Sequence, residues 1–117
     1  MSKTAIVIDD DKEFAEIFSE LLEEQKTSVV GIGYNGKEAI DLFNEKKPNF
    51  VFIDLNMPDG TGFHAIRNIK KIDDTAKIIA VTGNDDFSTQ GKLQKLNIHG
   101  IIFKPIDMDK IIDLISN

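Results

Sequence analysis

The chain predicts an α/β fold built on a doubly wound parallel sheet, and two features point to it. Five short β-branched runs alternate with segments of helical period, and the runs are apolar almost throughout rather than at every second position. Parallel strands need crossover connections and are covered on both faces, so every residue of such a run meets a core. The expected strands are Thr4–Ile8, Ser28–Ile32, Phe50–Ile53, Lys77–Val81 and Gly100–Phe103.

The helices between them follow from apolar spacing. In the first, Phe14, Ile17, Phe18, Leu21 and Leu22 form a single stripe expected to face the sheet. Glu13, Glu16, Glu20, Glu23 and Glu24 read as its solvated side. The second helix runs from about Asn35 to Lys46 with Ala39, Ile40 and Phe43 inward. The third turns Phe63, Ile66 and Ile69 inward, and the fifth Met108, Ile111, Ile112 and Ile115. The fourth, near Asp85 to Leu96, is weak. Its apolar positions are Phe87, Leu93 and Leu96, and Gly91 in its middle costs about 1 kcal/mol relative to alanine. A poorly anchored helix is the expected moving part. Five βα repeats with right-handed crossovers favour the flavodoxin-like strand order 2-1-3-4-5, with five helices.

A length of 117 residues with 41% hydrophobic and 29% charged residues is that of one folded domain, expected over residues 1–117. Without cysteine, disulfides, thiolate metal sites and cysteine nucleophiles are excluded. No apolar run approaches the roughly 20 residues needed to span a bilayer, and the N-terminus lacks the pattern of a signal peptide. No membrane insertion and a cytoplasmic location are expected. The net charge is −6, and the lysines are scattered, so direct nucleic acid binding is not expected. A protein partner or a cation fits better.

In such a sheet, functional groups collect at the carboxyl ends of the strands, near the switch point between strands 1 and 3. Strand 1 ends in Asp9, Asp10 and Asp11, strand 3 in Asp54, strand 4 in Thr82, and strand 5 in Lys104 and Pro105. Asp9, Asp10 and Asp54 would crowd one crevice, and like charges that close raise one another's pKa. A hard cation with oxygen ligands, most simply Mg²⁺, resolves the repulsion. One of the three N-terminal aspartates is expected to cap the first helix instead. Asp54 precedes a loop, so capping does not account for it. An aspartate can be a phosphoryl nucleophile, while Thr82 offers a hydroxyl and Lys104 a point charge to phosphoryl oxygens.

The segments IVIDDD (6–11), NGKEAI (35–40), FIDLNMPDGTG (52–62), AVTG (80–83) and FKPI (103–106) together resemble the response-regulator receiver domains of two-component signalling. The similarity covers nearly the whole chain and points to a chemotaxis-type single-domain regulator. The resemblance implies Asp54 as phosphoacceptor, and Asp10, Asp54 and the Asn56 backbone carbonyl as Mg²⁺ ligands, with Asp9 helping through water and Mn²⁺ able to substitute. It implies Thr82 and Lys104 as phosphate-sensing groups and a cis Lys104–Pro105 bond. Its partners would be a histidine kinase or a histidine phosphotransfer protein, and a downstream protein at the face made by the fourth helix, fifth strand and fifth helix. Asn56 and Asn84, flanking the site, would tune dephosphorylation. Receivers of this kind often have an aromatic switch residue three positions before the lysine; here that position is Ile101, so the switch pair would be Thr82 and Ile101.

Two rival readings have local support. Gly31, Gly33 and Gly36 match a dinucleotide-binding pattern, with Asp54 at nearly the right distance. The three aspartates after strand 1 would repel a pyrophosphate, and the glycines read better as a tight strand-to-helix turn. Aspartate-nucleophile phosphatases carry a second Asp two residues after the first, whereas Asn56 stands here and cannot shuttle a proton. The expected chemistry is therefore only self-phosphorylation and slow dephosphorylation. His64 and His99 do not fall at strand carboxyl ends and are read as solvated or locally bonded.

Overall fold

The computed structural model describes residues 3–58, 61–83 and 87–116. Ten elements alternate along the chain: β1 (Lys3–Ile8), α1 (Lys12–Glu24), β2 (Thr27–Gly33), α2 (Gly36–Lys46), β3 (Phe50–Asp54), α3 (Thr61–Ile72), β4 (Lys77–Thr82), α4 (Phe87–Leu96), β5 (Gly100–Phe103) and α5 (Met108–Ser116). The five strands are all parallel and ordered β2-β1-β3-β4-β5, the flavodoxin-like arrangement.

Strand residues divide between two cores by their alternation across the sheet. Ile6, Ile8, Val51, Ile53, Ile78 and Ala80 face α2, α3 and α4, where Phe43, Ile66, Ile69 and Leu93 close over them. Ala5, Val7, Phe50, Phe52, Ile79, Val81 and Ile102 face α1 and α5, meeting Phe18, Leu22, Ile111 and Ile115. This double covering is why the central strands read as unbroken apolar runs.

Two details differ from the pattern-based expectation. Ile17 is 51% exposed, although it lies on the apolar stripe of α1. The residues pressed on the sheet are Ala15, Phe18, Ser19 and Leu22. Two small residues let the helix approach closely, and this rolls Ile17 out toward solvent. The Ser19 hydroxyl is satisfied by donating to the Ala15 carbonyl at 2.6 Å. Second, Gly31 and Gly33 lie within β2 rather than in a turn. A Cβ at Gly31 would come within 2.8 Å of the Leu42 side chain, and one at Gly33 within 3.1 Å of Glu38. The glycines are there so that α2 can sit down on the edge strand.

Helix ends follow capping chemistry. Asp11 caps α1 by accepting from the Phe14 N–H at 3.1 Å, and Asn35 caps α2 by accepting from the Glu38 N–H at 2.9 Å. The last carbonyls of α5 receive side chains from across the sheet: His99 Nε2 lies 2.8 Å from the Leu114 carbonyl, and the Lys3 ammonium donates to that of Ile115.

Candidate functional site

Three backbone hydrogen bonds carry the parallel ladder past the strand ends and fix the residues that follow. The Asp9 N–H donates to Gly33 O at 3.0 Å, Leu55 N–H to Val81 O at 3.2 Å, and Lys104 N–H to Thr82 O at 2.9 Å. Asp54 and Thr82 are themselves the last residues of β3 and β4. The Lys104–Pro105 peptide bond is cis. These constraints gather the polar strand ends over the switch point between β1 and β3.

Asp9 and Asp54 are buried and Asp10 is exposed, yet an oxygen of each carboxylate lies within 4.8 Å of the others. Asp11 turns away to cap α1, while its N–H donates to Asp9 Oδ1 at 2.9 Å. The ammonium of Lys104 stands 3.0 Å from Asp9 Oδ2 and 3.9 Å from Asp54 Oδ2. The Asn56 N–H donates to Asp54 Oδ1 at 2.9 Å. Burial pushes the Asp54 carboxyl above the ordinary carboxylate range. The charges of Asp9 and Asp10 push the same way, and the Asn56 N–H and Lys104 oppose them. Three oxygen donors at this spacing, with one carboxylate destabilised by the other two, are a donor set that could hold a hard metal ion.

Thr82 is fully buried, and its hydroxyl donates to Asn56 Oδ1 at 2.8 Å; the Gly83 N–H donates to the same oxygen at 2.7 Å. The Asn56 side chain thus ties the loop after β3 to the end of β4. Asn84 lies outside the described residues. Ile101 is half-buried in the core beneath α2, α3 and α4. With Leu93, Gln94, Asn97, Ile98 and Gly100 it lines a groove of about 290 Å³ between α4 and β5. Neither histidine belongs to the crevice. His64 is exposed, with the Asn68 amide donating to its carbonyl at 2.8 Å, and His99 precedes β5 at the opposite end of the sheet.

Several residues shape the site through contacts that carry no signal in the pattern. Gly62, in the first turn of α3, lies against the backbone of Asp54: a Cβ there would stand 2.9 Å from the Asp54 carbonyl oxygen. Thr61 Oγ1 accepts from the Gly36 N–H at 2.8 Å, and a Cβ on Gly36 would collide with Thr61 at 2.6 Å. Phe14 lays its ring 4.2 Å from the Lys104 ammonium. A glycine at a close approach can be foreseen only once the two approaching elements are known.

A parallel sheet of this order, with its polar groups over the first and third strands, places the protein among the flavodoxin-like α/β proteins. The chain belongs to the response regulator receiver domain family, whose model matches residues 5–116. It is 31% identical to the chemotaxis protein CheY of Halobacterium salinarum over 117 residues, covering 100% of this chain and 97% of that one. It is 28% identical to the CheY of Thermotoga maritima over 116 residues, covering 99% and 97% of the two chains. Among solved structures, the receiver domain of a DNA-binding response regulator from Colwellia psychrerythraea superposes with a TM-score of 0.86 at 28% identity, covering 98% of this chain and 96% of that one. Receiver domains are switch proteins of two-component signalling rather than turnover enzymes. Among the described residues no helix is long and apolar enough to cross a membrane.

Proposed function

We propose that this chain is a phosphorylation-dependent signalling switch whose phosphoacceptor is Asp54, a single receiver domain over residues 1–117 acting in the cytoplasm. The observation that carries the reading is the position of Lys104. Its ammonium lies between the buried carboxylates of Asp9 and Asp54, where a phosphoryl group on Asp54 would need a cation.

In the proposed step a carboxylate oxygen of Asp54 attacks the phosphorus of a phosphohistidine on a kinase or phosphotransfer protein. The P–N bond breaks, its electron pair goes to the imidazole nitrogen, and Asp54 becomes an acyl phosphate. Asp10, Asp54 and the Asn56 backbone carbonyl would hold Mg²⁺, with Asp9 behind them. Mg²⁺ supplies positive charge that lets neighbouring carboxylates ionise together and that offsets charge on the transferring group. Lys104 holds a second positive charge at the equatorial oxygens. Asn56, with no ionisable group, cannot take the proton of a water attacking the acyl phosphate, so dephosphorylation is expected to be slow.

The Thr82 hydroxyl donates to Asn56 Oδ1 in the unphosphorylated protein, so sensing a phosphoryl oxygen means exchanging one acceptor for another. Driving a switch from 1:99 to 99:1 takes about 5.5 kcal/mol. Charge-assisted bonds at roughly 1.5–3 kcal/mol each, reduced by the contacts they replace, come near this only if Thr82 and Lys104 act together. Output would pass by protein association at the face of α4, β5 and α5, with Ile101 at its inner edge.

The test is incubation with Mg²⁺ and acetyl phosphate, followed by mass spectrometry. One labile phosphate is expected, absent in Asp54→Ala and absent when the metal is chelated. A stable adduct, or one indifferent to Asp54, removes the reading.

A further inference from the structure

A lysine ammonium is a mobile point charge on a four-carbon stem, and holding it in one place loses rotamer freedom. At this site the stem leaves a short strand, and the side chain of Lys104 is 29% exposed. Its two carboxylate contacts lie on the side of the crevice. A third contact is the ring of Phe14, whose centroid is 4.2 Å from the ammonium and well inside the roughly 6 Å reach of a cation–π interaction.

The ring is itself held by a chain of aromatic contacts. Phe14 stacks on Phe18 with centroids 5.7 Å apart and planes at 18°. Phe18 meets Phe52 of β3 edge-on at 5.1 Å and 83°. Phe52 is fully buried two residues before Asp54. From the other direction, the Phe14 N–H is bonded to the capping Asp11, two residues beyond Asp9. The ring over Lys104 is therefore anchored to the two segments that bear Asp54 and Asp9.

We propose that Phe14 is a positioning residue: its ring face confines the Lys104 ammonium to the mouth of the crevice, within reach of Asp9 and of a phosphoryl group on Asp54. The proposal rests on Asp54 being the phosphoacceptor only for its kinetic consequence; the confinement of Lys104 stands apart from it. Helical spacing places Phe14 on the apolar stripe of α1, but the ring leaves part of its surface to the lysine and is only half-buried.

Two readouts test this. The first is the shift of the Lys104 Hε protons by NMR, in protein with neither metal nor phosphodonor. A ring close to the ammonium displaces these resonances upfield, so Phe14→Leu should return them to the position of the exposed lysines, while Phe14→Tyr should keep them displaced. The second is the rate of phosphorylation by acetyl phosphate with Mg²⁺. Phe14→Leu should slow it about two- to fivefold, Phe14→Tyr should restore it, and in a Lys104→Met background Phe14→Leu should add no further loss. Thermal unfolding of each variant separates these effects from loss of fold. Unchanged Hε shifts in Phe14→Leu overturn the proposal, as does an equal slowing with Lys104 absent. A wild-type protein that takes up no phosphate overturns the phosphoacceptor reading instead, and the NMR result then decides the placement of Lys104 alone.

Discussion

Replacing Asp54 by asparagine should stabilise the metal-free protein at neutral pH, and the size of the effect can be worked from the crevice. The substitution removes a buried negative charge while leaving an amide oxygen that can still accept from the Asn56 N–H, now 2.9 Å from Asp54. At an effective dielectric constant of 20, two unit charges at the outer limit of 4.8 Å repel by about 3.5 kcal/mol. Lys104 at 3.9 Å attracts by about 4 kcal/mol. Asp9 counts nearly in full, and Asp10, being exposed, about half. The remainder is about 1 kcal/mol against ionised Asp54, and its burial raises the total to roughly 1–3 kcal/mol. For a 117-residue chain that is about 4–12 °C in Tm.

The pH dependence has a definite sign. The folded carboxyl of Asp54 titrates above its unfolded value of 3.8, so its contribution to stability is full below that value and is lost as pH rises through the folded pKa. The advantage of Asp54→Asn should therefore be absent in acid and grow toward neutrality. Thermal unfolding in chelator across this range, repeated with Mg²⁺, measures it. Mg²⁺ should raise the Tm of the wild type more than that of the variant. A variant less stable than wild type at neutral pH in chelator, or an increment that ignores pH, would refute the electrostatic account of the crevice.

Three other substitutions probe separate parts of the structure. Thr82→Val removes the donor to Asn56 but leaves the Gly83 N–H on the same oxygen, so chemical denaturation should register a loss below about 1.5 kcal/mol. Phosphate uptake should persist in that variant, while phosphorylation-induced shifts in the amide spectrum of β5 shrink. Gly62→Ala places a methyl 2.9 Å from a backbone oxygen that cannot swing aside, and should cost about 1–3 kcal/mol while displacing the end of β3; its cost in urea and its phosphorylation rate report both. Gly91→Ala meets no heavy atom within 4 Å and should stabilise α4 by up to about 1 kcal/mol, visible as slower amide exchange confined to that helix.

Much of this molecule was decided by local chemistry that a sequence displays. Apolar runs without alternation require strands buried on both faces, and the helical stripes between them require crossovers, so a parallel doubly wound sheet follows and the order 2-1-3-4-5 is favoured. The same logic sends Asp9, Asp54, Thr82 and Lys104 to strand ends on one edge of the sheet. What the tertiary structure alone decided is how the elements press together. The small side chains of Ala15 and Ser19 set the roll of α1, which exposes Ile17 and turns Phe14 to Lys104. The contacts of Gly36 with Thr61 and of Gly62 with Asp54 exist only because α2, α3 and β3 converge. The bond from Thr82 to Asn56 joins residues 26 positions apart. Period and capping are properties of neighbours along the chain and can be read there. A close approach depends on the rotation and separation of two elements at once, and only the packed fold determines those.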